Sequence, residues 1–149
     1  MNPFDWRTVL LAKHAQHVVL IHFPIALFII AVAFDLLAYR LRRQDYAAVA
    51  YYNLAAAAIF AVPTVLTGLL ARELLMEHHR LKGILLYHLL AAFGSAAVIL
   101  LSWWIHYQAR QHPSTPPVGW RIPLEFAGVL LLVLTGHLGG FLSGVNIAP

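Results

Sequence analysis

The residues best suited to chemistry are imidazoles. The chain has nine histidines and no cysteine, and the stretch "HVVLIHFPIAL" sets His17 and His22 into the opening turns of an apolar run. His22 lies about four residues inside the first apolar run, His88 about five inside the third and His137 about five from the end of the fourth. At a rise of about 1.5 Å per residue this puts all three roughly 6–8 Å below one membrane face. Ionisable groups inside a span are expensive and normally face the bundle interior, where an apolar site keeps an imidazole neutral and able to ligate a metal. Two histidines on facing helices would hold a b-type haem; three converging would hold zinc, copper or non-haem iron. His22, His88 and His137 are therefore the expected ligands, with His17 and His79 at helix entrances as further ligands or orienting partners. The plainer alternative for each is an interfacial residue bonded to a carbonyl or a lipid headgroup, and this is the expectation for His14, His78 and His112.

The opposite face carries fewer candidates. His106 is eighteen residues from His88, five helical turns on, and so shares its side of the third helix. No second imidazole stands at its level, only His112 in the loop, so one haem, at face A, is expected rather than two stacked through the membrane. Asp35 and Glu125 lie about one turn inside the same face, where pairing with Arg121 or Arg40 would anchor helix ends. A proton or quinol site is the sharper alternative for the two carboxylates.

The elements that must position these groups are membrane spans. The composition is 61 % hydrophobic and 11 % charged, far more apolar than a globular domain. Four apolar runs, about 18–39, 47–70, 83–105 and 122–142, each approach the roughly 20 residues that cross a bilayer core. We expect an all-α integral membrane four-helix bundle, one domain over residues 1–149, preceded by a short interfacial helix bearing Trp6, Val9, Leu10 and Lys13. Ala31-Val32-Ala33 resembles a signal-peptidase site, but the first segment is expected to be retained as a span. No internal repeat or low-complexity segment stands out. The absence of cysteine excludes disulfides, thiolate ligands and covalent c-type haem.

With four crossings the N-terminus, residues 71–82 and the C-terminus share one side, face A; residues 40–46 and 106–121 share the other, face B. Basic residues cap the apolar runs, which points to membrane lipid and not to nucleic acid. They divide evenly between the faces, but the compact Arg40/Arg42/Arg43 cluster directly after the first span places face B in the cytoplasm of a bacterial inner membrane, with both termini periplasmic. In "TGHLGGFLSG", Gly136, Gly140 and Gly144 recur every fourth residue, a spacing that allows close helix approach or room for a flat macrocycle.

"HVVLIHFPIALFIIAVAFDLL", "TVLTGLL", "HRLKG" and "TGHLGG" together resemble a family of small bacterial four-span membrane proteins of unknown function, DUF2231, across most of residues 17–144. The resemblance implies polar motif positions at His17, His22, His79 and His137, and an association with c-type cytochromes and redox enzymes. The resulting expectation is a b-type cytochrome-like electron-transfer protein, holding haem b near the periplasmic face and exchanging electrons with quinone, a c-type cytochrome or a larger membrane redox complex. A transition-metal carrier or assembly factor and a structural subunit are the alternatives. Nothing resembles a nucleophile and base pair, a phosphate-binding loop or a carboxylate dyad, so hydrolytic or transferase catalysis is not expected and any enzymatic role would be that of an electron-transfer oxidoreductase subunit.

Overall fold

The computed structural model describes residues 13–75, 82–112 and 119–144. These form five helices: α1 (Lys13–Leu20), α2 (His22–Leu41), α3 (Gln44–Leu75), α4 (Gly83–Gln111) and α5 (Arg121–Leu142). α1 continues into α2 through Ile21, whose N–H still donates to the His17 carbonyl at 3.0 Å. Counting that continuation, four segments are long and apolar enough to cross a membrane: Gln16–Leu41, Gln44–Glu73, Gly83–Gln111 and Arg121–Leu142. The all-α, four-span expectation holds, and no strand occurs among the described residues. The spans outrun the apolar stretches because helix-compatible polar residues prolong α3 to Leu75 and α4 to Gln111. Trp6, Val9 and Leu10 of the expected interfacial helix lie outside the described residues; from Lys13 onward the chain is helical.

The prolines show how such helices keep their backbone satisfied in a membrane. Pro24 has no N–H to offer the Leu20 carbonyl, four residues back. The Thr64 hydroxyl of α3 reaches that carbonyl at 3.4 Å while donating to the Phe60 carbonyl at 2.8 Å. One threonine thus ties α3 to the junction of α1 and α2. In the turn after α2, Arg42 takes a left-handed conformation (φ 53°), a position normally given to glycine.

α2 packs along α3, and α4 along α5, as two antiparallel hairpins joined mainly through α3 and α4. The core is Phe28, Ala31 and Val32 of α2, Leu54, Ala57, Ala58 and Ala61 of α3, Ile99 of α4 and Leu132 of α5. The alanine-rich face of α3 lets helices approach closely, the main source of association when lipid is as apolar as the side chains.

The two hairpins prove to be copies of one design. A step of 71 residues along the chain, from His17 to His88, superimposes their patterns. Buried Pro24, Phe28, Ala31 and Asp35 fall on buried Ser95, Ile99, Ser102 and His106. Buried Leu54, Ala57 and Ala61 fall on buried Glu125, Gly128 and Leu132. The hydrogen bonds repeat as well. His17 bonds the Thr64 carbonyl and His88 the Thr135 carbonyl, each across 47 residues, and the hydroxyls of Thr64 and Thr135 donate to the carbonyls of Phe60 and Leu131. The expectation of no repeat is thereby corrected: the repeat lives in burial and bonding, while identical residues are few.

Candidate functional site

In each hairpin the interior stripe of the first membrane helix runs at three- and four-residue steps, as a buried helical face must. On α1 and α2 it is His17, Pro24, Phe28, Ala31, Asp35; on α4 it is His88, Ser95, Ile99, Ser102, His106. Each stripe therefore has an imidazole at face A, a middle of apolar or small residues, and an ionisable group at face B.

At face A the imidazoles are held within their own hairpins. The carbonyl of Thr64 can only accept, so Nδ1–H of His17 donates to it at 3.1 Å, with the Thr67 hydroxyl oxygen at 3.3 Å. Nδ1–H of His88 donates to the Thr135 carbonyl at 3.1 Å. Both rings lie on glycines: a Cβ at Gly68 would sit 2.8 Å from Cε1 of His17, and one at Gly139 would sit 3.2 Å from Cε1 of His88. These glycines make room for imidazoles. Gly136 faces open space. His22 is exposed and donates Nδ1–H to its own helix, to the Val18 carbonyl at 2.7 Å. His137 is exposed, with its ring edge-on to Phe141 at 5.0 Å between centroids. His79 lies outside the described residues. His88 thus points into the bundle while His22 and His137 point outward, and the three do not assemble into a cluster of ligand atoms.

Face B is different. Arg121, the first residue of α5, donates from Nε to Oδ2 of Asp35 at 2.9 Å and from its terminal nitrogen to Oδ1 at 3.3 Å. Nε2 of His106 lies 2.9 Å from Oε1 of Glu125 and 3.9 Å from Oδ2 of Asp35. Asp35 and Glu125 are each only 1 % exposed. The expected pairing of Asp35 with Arg121 is present, whereas Glu125 is paired with His106. Oε2 of Glu125 is buried without a hydrogen-bond partner, as is the hydroxyl of Ser102 one turn before His106.

One ligand atom each from Asp35, His106 and Glu125 lie within 4.8 Å of one another, the group of three such atoms found among the described residues. Nitrogen and oxygen ligands about 2.0–2.2 Å from one tetrahedral zinc ion stand roughly 3.4 Å apart. The two distances from His106, 2.9 and 3.9 Å, bracket that value, so modest side-chain shifts would close the set around one ion. His106 was missed as a member because its partner was sought among imidazoles. Its eighteen-residue spacing from His88, repeated between His17 and Asp35, was the available signal.

The second hairpin's twin is an internal control. The positions equivalent to Arg121 and Glu125 are Ala50 and Leu54, which are 0 % and 1 % exposed. The scaffold packs apolar residues at those two positions, so Arg121 and Glu125 are additions to the shared design, whereas Asp35 and His106 stand at equivalent positions and are ionisable in both hairpins. Outside the cluster a cleft of about 590 Å³, lined by Tyr39, Arg42, Arg43, Gln44 and Gly119 among others, reaches Asp35 and Arg121 from face B.

Against known families, residues 13–146 match the model described as a predicted membrane protein, DUF2231. The chain belongs to this family. The match takes in both hairpins, so the resemblance carried by "HVVLIHFPIAL" and "TGHLGG" extends to the helices holding the face B cluster. No curated protein and no solved structure matches the chain. Family membership therefore gives a membrane protein, and the chemistry must be argued from the side chains.

Proposed function

We propose that this protein binds a divalent transition metal within the membrane through Asp35, His106 and Glu125, as a metal carrier or assembly factor. The observation that carries the reading is the convergence of these buried donors from α2, α4 and α5, with Glu125 at a position that the sister hairpin fills with Leu54. Isolated charges in a membrane interior are costly and mark functional sites. Two carboxylates and one imidazole suit zinc, manganese or ferrous iron, and three protein ligands would leave a coordination position open. The unpartnered Oε2 of Glu125 supplies a further donor. The Arg40/Arg42/Arg43 cluster supports placing face B in the cytoplasm of a bacterial inner membrane.

The test is elemental analysis of the detergent-purified protein after dialysis against Zn²⁺ or Mn²⁺. One metal per chain is expected, lost in Glu125→Leu, which copies the sister residue Leu54 and keeps the bundle folded. Retention of the metal by that variant would overturn the assignment.

A second reading, a haem b electron-transfer protein served by quinone or a c-type cytochrome, is favoured by the orientation of His88. Donation of Nδ1–H to a backbone carbonyl is the usual second bond of a metal-ligating histidine and leaves Nε2 as the coordinating nitrogen. His17 repeats the arrangement. A reduced-minus-oxidised spectrum with a pyridine haemochrome assay separates the readings. A b-type band lost in His88→Ala would establish haem, and a colourless, metal-loaded preparation would favour the cluster.

A further inference from the structure

Arg121 stands between two anionic opportunities. On one side is Asp35, a carboxylate of the proposed metal site. On the other is the face B cleft, where Arg42 has no ion-pair or hydrogen-bond partner among the described residues and Arg43 is matched by Asp45. The Arg42 backbone is held in the left-handed region, a conformation that residues other than glycine seldom adopt and that clusters at functional sites. A non-glycine residue in that turn keeps a guanidinium at the lip of the cleft. Arg121 is also the member of the cluster with the most access: its side chain is 13 % exposed, against 2 % for Asp35.

Charge arithmetic then sets a condition. Two carboxylates, a neutral imidazole and a divalent ion sum to zero. Retaining the Arg121 guanidinium beside them would leave one uncompensated positive charge inside the membrane, which is expensive. Metal binding at Asp35 and withdrawal of Arg121 are therefore linked, and the withdrawn guanidinium must find a counter-ion. The cleft with Arg42 at its lip supplies the place for one.

Resting on the metal reading above, we propose that the cleft is an oxyanion site, and that an anionic group held there by Arg42 and Arg121 is bound cooperatively with the metal ion. Arg121 is the switch: it holds Asp35 when both sites are vacant and turns to the anion when the metal arrives. The oxyanion is the phosphate of an acidic lipid headgroup or a free oxyanion of the same charge, since both offer what two guanidiniums recognise. Coupling of this kind is reciprocal, so the metal strengthens anion binding by the same factor.

The experiment is Zn²⁺ titration of the full chain in nanodiscs made from phosphatidylcholine, from phosphatidylcholine with phosphatidylglycerol, and from phosphatidylcholine with added sulfate. In the wild type the affinity for Zn²⁺ rises about ten-fold, within the usual range of allosteric couplings, in at least one of the two anionic conditions. A response to phosphatidylglycerol alone identifies a lipid headgroup; a response to sulfate identifies a free oxyanion. Arg42→Gln, an exposed change, keeps basal Zn²⁺ binding and loses the anion effect. Arg121→Ala, which copies Ala50, binds Zn²⁺ at least as tightly as the anion-loaded wild type and ignores anions. Anion-independent Zn²⁺ binding in the wild type, or weaker binding in Arg121→Ala, overturns the coupling while leaving the metal site standing. Absence of Zn²⁺ binding in every sample overturns the metal reading itself.

Discussion

Asp35 and Arg121 explain each other's burial. A carboxylate 1 % exposed within a membrane span is tolerable because a guanidinium meets it with two hydrogen bonds, and removing either partner strands the other. Asp35→Ala alone is expected to cost about 3–5 kcal/mol, the usual penalty for breaking a buried ion pair. The double variant Asp35→Ala/Arg121→Ala should recover most of that loss, because Ala50 shows that alanine packs at the second position. Unfolding in detergent micelles, read by circular dichroism, gives both numbers. Strictly additive losses would show that the two side chains do not depend on one another. The same reasoning separates Glu125 from its surroundings. Leu54 fills the equivalent place, so leucine fits at 125, and Glu125→Leu should cost no more than the stranded His106 nitrogen, about 1–3 kcal/mol, while removing the proposed ligand.

At the scale of elements, the close contacts fall on particular glycines, and those contacts rank the consequences of filling them. A Cβ at Gly128 of α5 would lie 2.7 Å from Cγ1 of Val98 and 2.9 Å from the Phe28 ring, whereas one at Gly136 would meet nothing within 4 Å. Gly128→Ala should therefore force α5 away from α2 and α4 at a cost of about 1–3 kcal/mol, the range for overpacked cores. Gly136→Ala should be neutral or stabilising by up to about 1 kcal/mol, the helix-propensity difference. Thermal unfolding of the two variants side by side checks the ranking, and equal losses would contradict it. The four-residue spacing of Gly136, Gly140 and Gly144 was legible in the sequence; its meaning was not, because spacing does not say which side of a helix its neighbours occupy. Gly136 meets nothing, whereas Gly139, outside that spacing, lies against the His88 ring. The spans were legible because roughly 20 apolar residues have few other uses. The hairpin repeat was hidden because apolar packing preserves size and burial while permitting Phe28 to become Ile99 and Ala31 to become Ser102. The face B cluster was half legible: Asp35 with Arg121 follows from opposite charges near one membrane face, but the pairing of His106 with Glu125 depends on the rotation of α4 about its axis, which a run of leucines and alanines leaves open.

For the whole molecule, the number of crossings decides which compartment supplies the cluster. Four spans put the turn at Arg42 and the end of α4 at His112 on one side and the start of α4 at Lys82 on the other. The chain has no cysteine, so single-cysteine variants can be made on the natural background. In intact cells a membrane-impermeant maleimide should label Lys82→Cys and spare Arg42→Cys and His112→Cys until the membrane is opened. Modification of all three in intact cells would break the four-span topology. Modification of the Arg42 and His112 variants with sparing of the Lys82 variant would keep the bundle and turn it over. The outcome bears directly on function, because the cleft that reaches Asp35 and Arg121 opens on the Arg42 side. With that side cytoplasmic, any ion held by Asp35, His106 and Glu125 is drawn from the cytoplasm. The apolar middle of the bundle, Phe28, Leu54, Ile99 and Leu132, then separates it from the His17 and His88 pair at the far face. An ion could cross only if that plug opened, so a chain that stores or hands over metal at the cytoplasmic face fits this architecture better than one that conducts it.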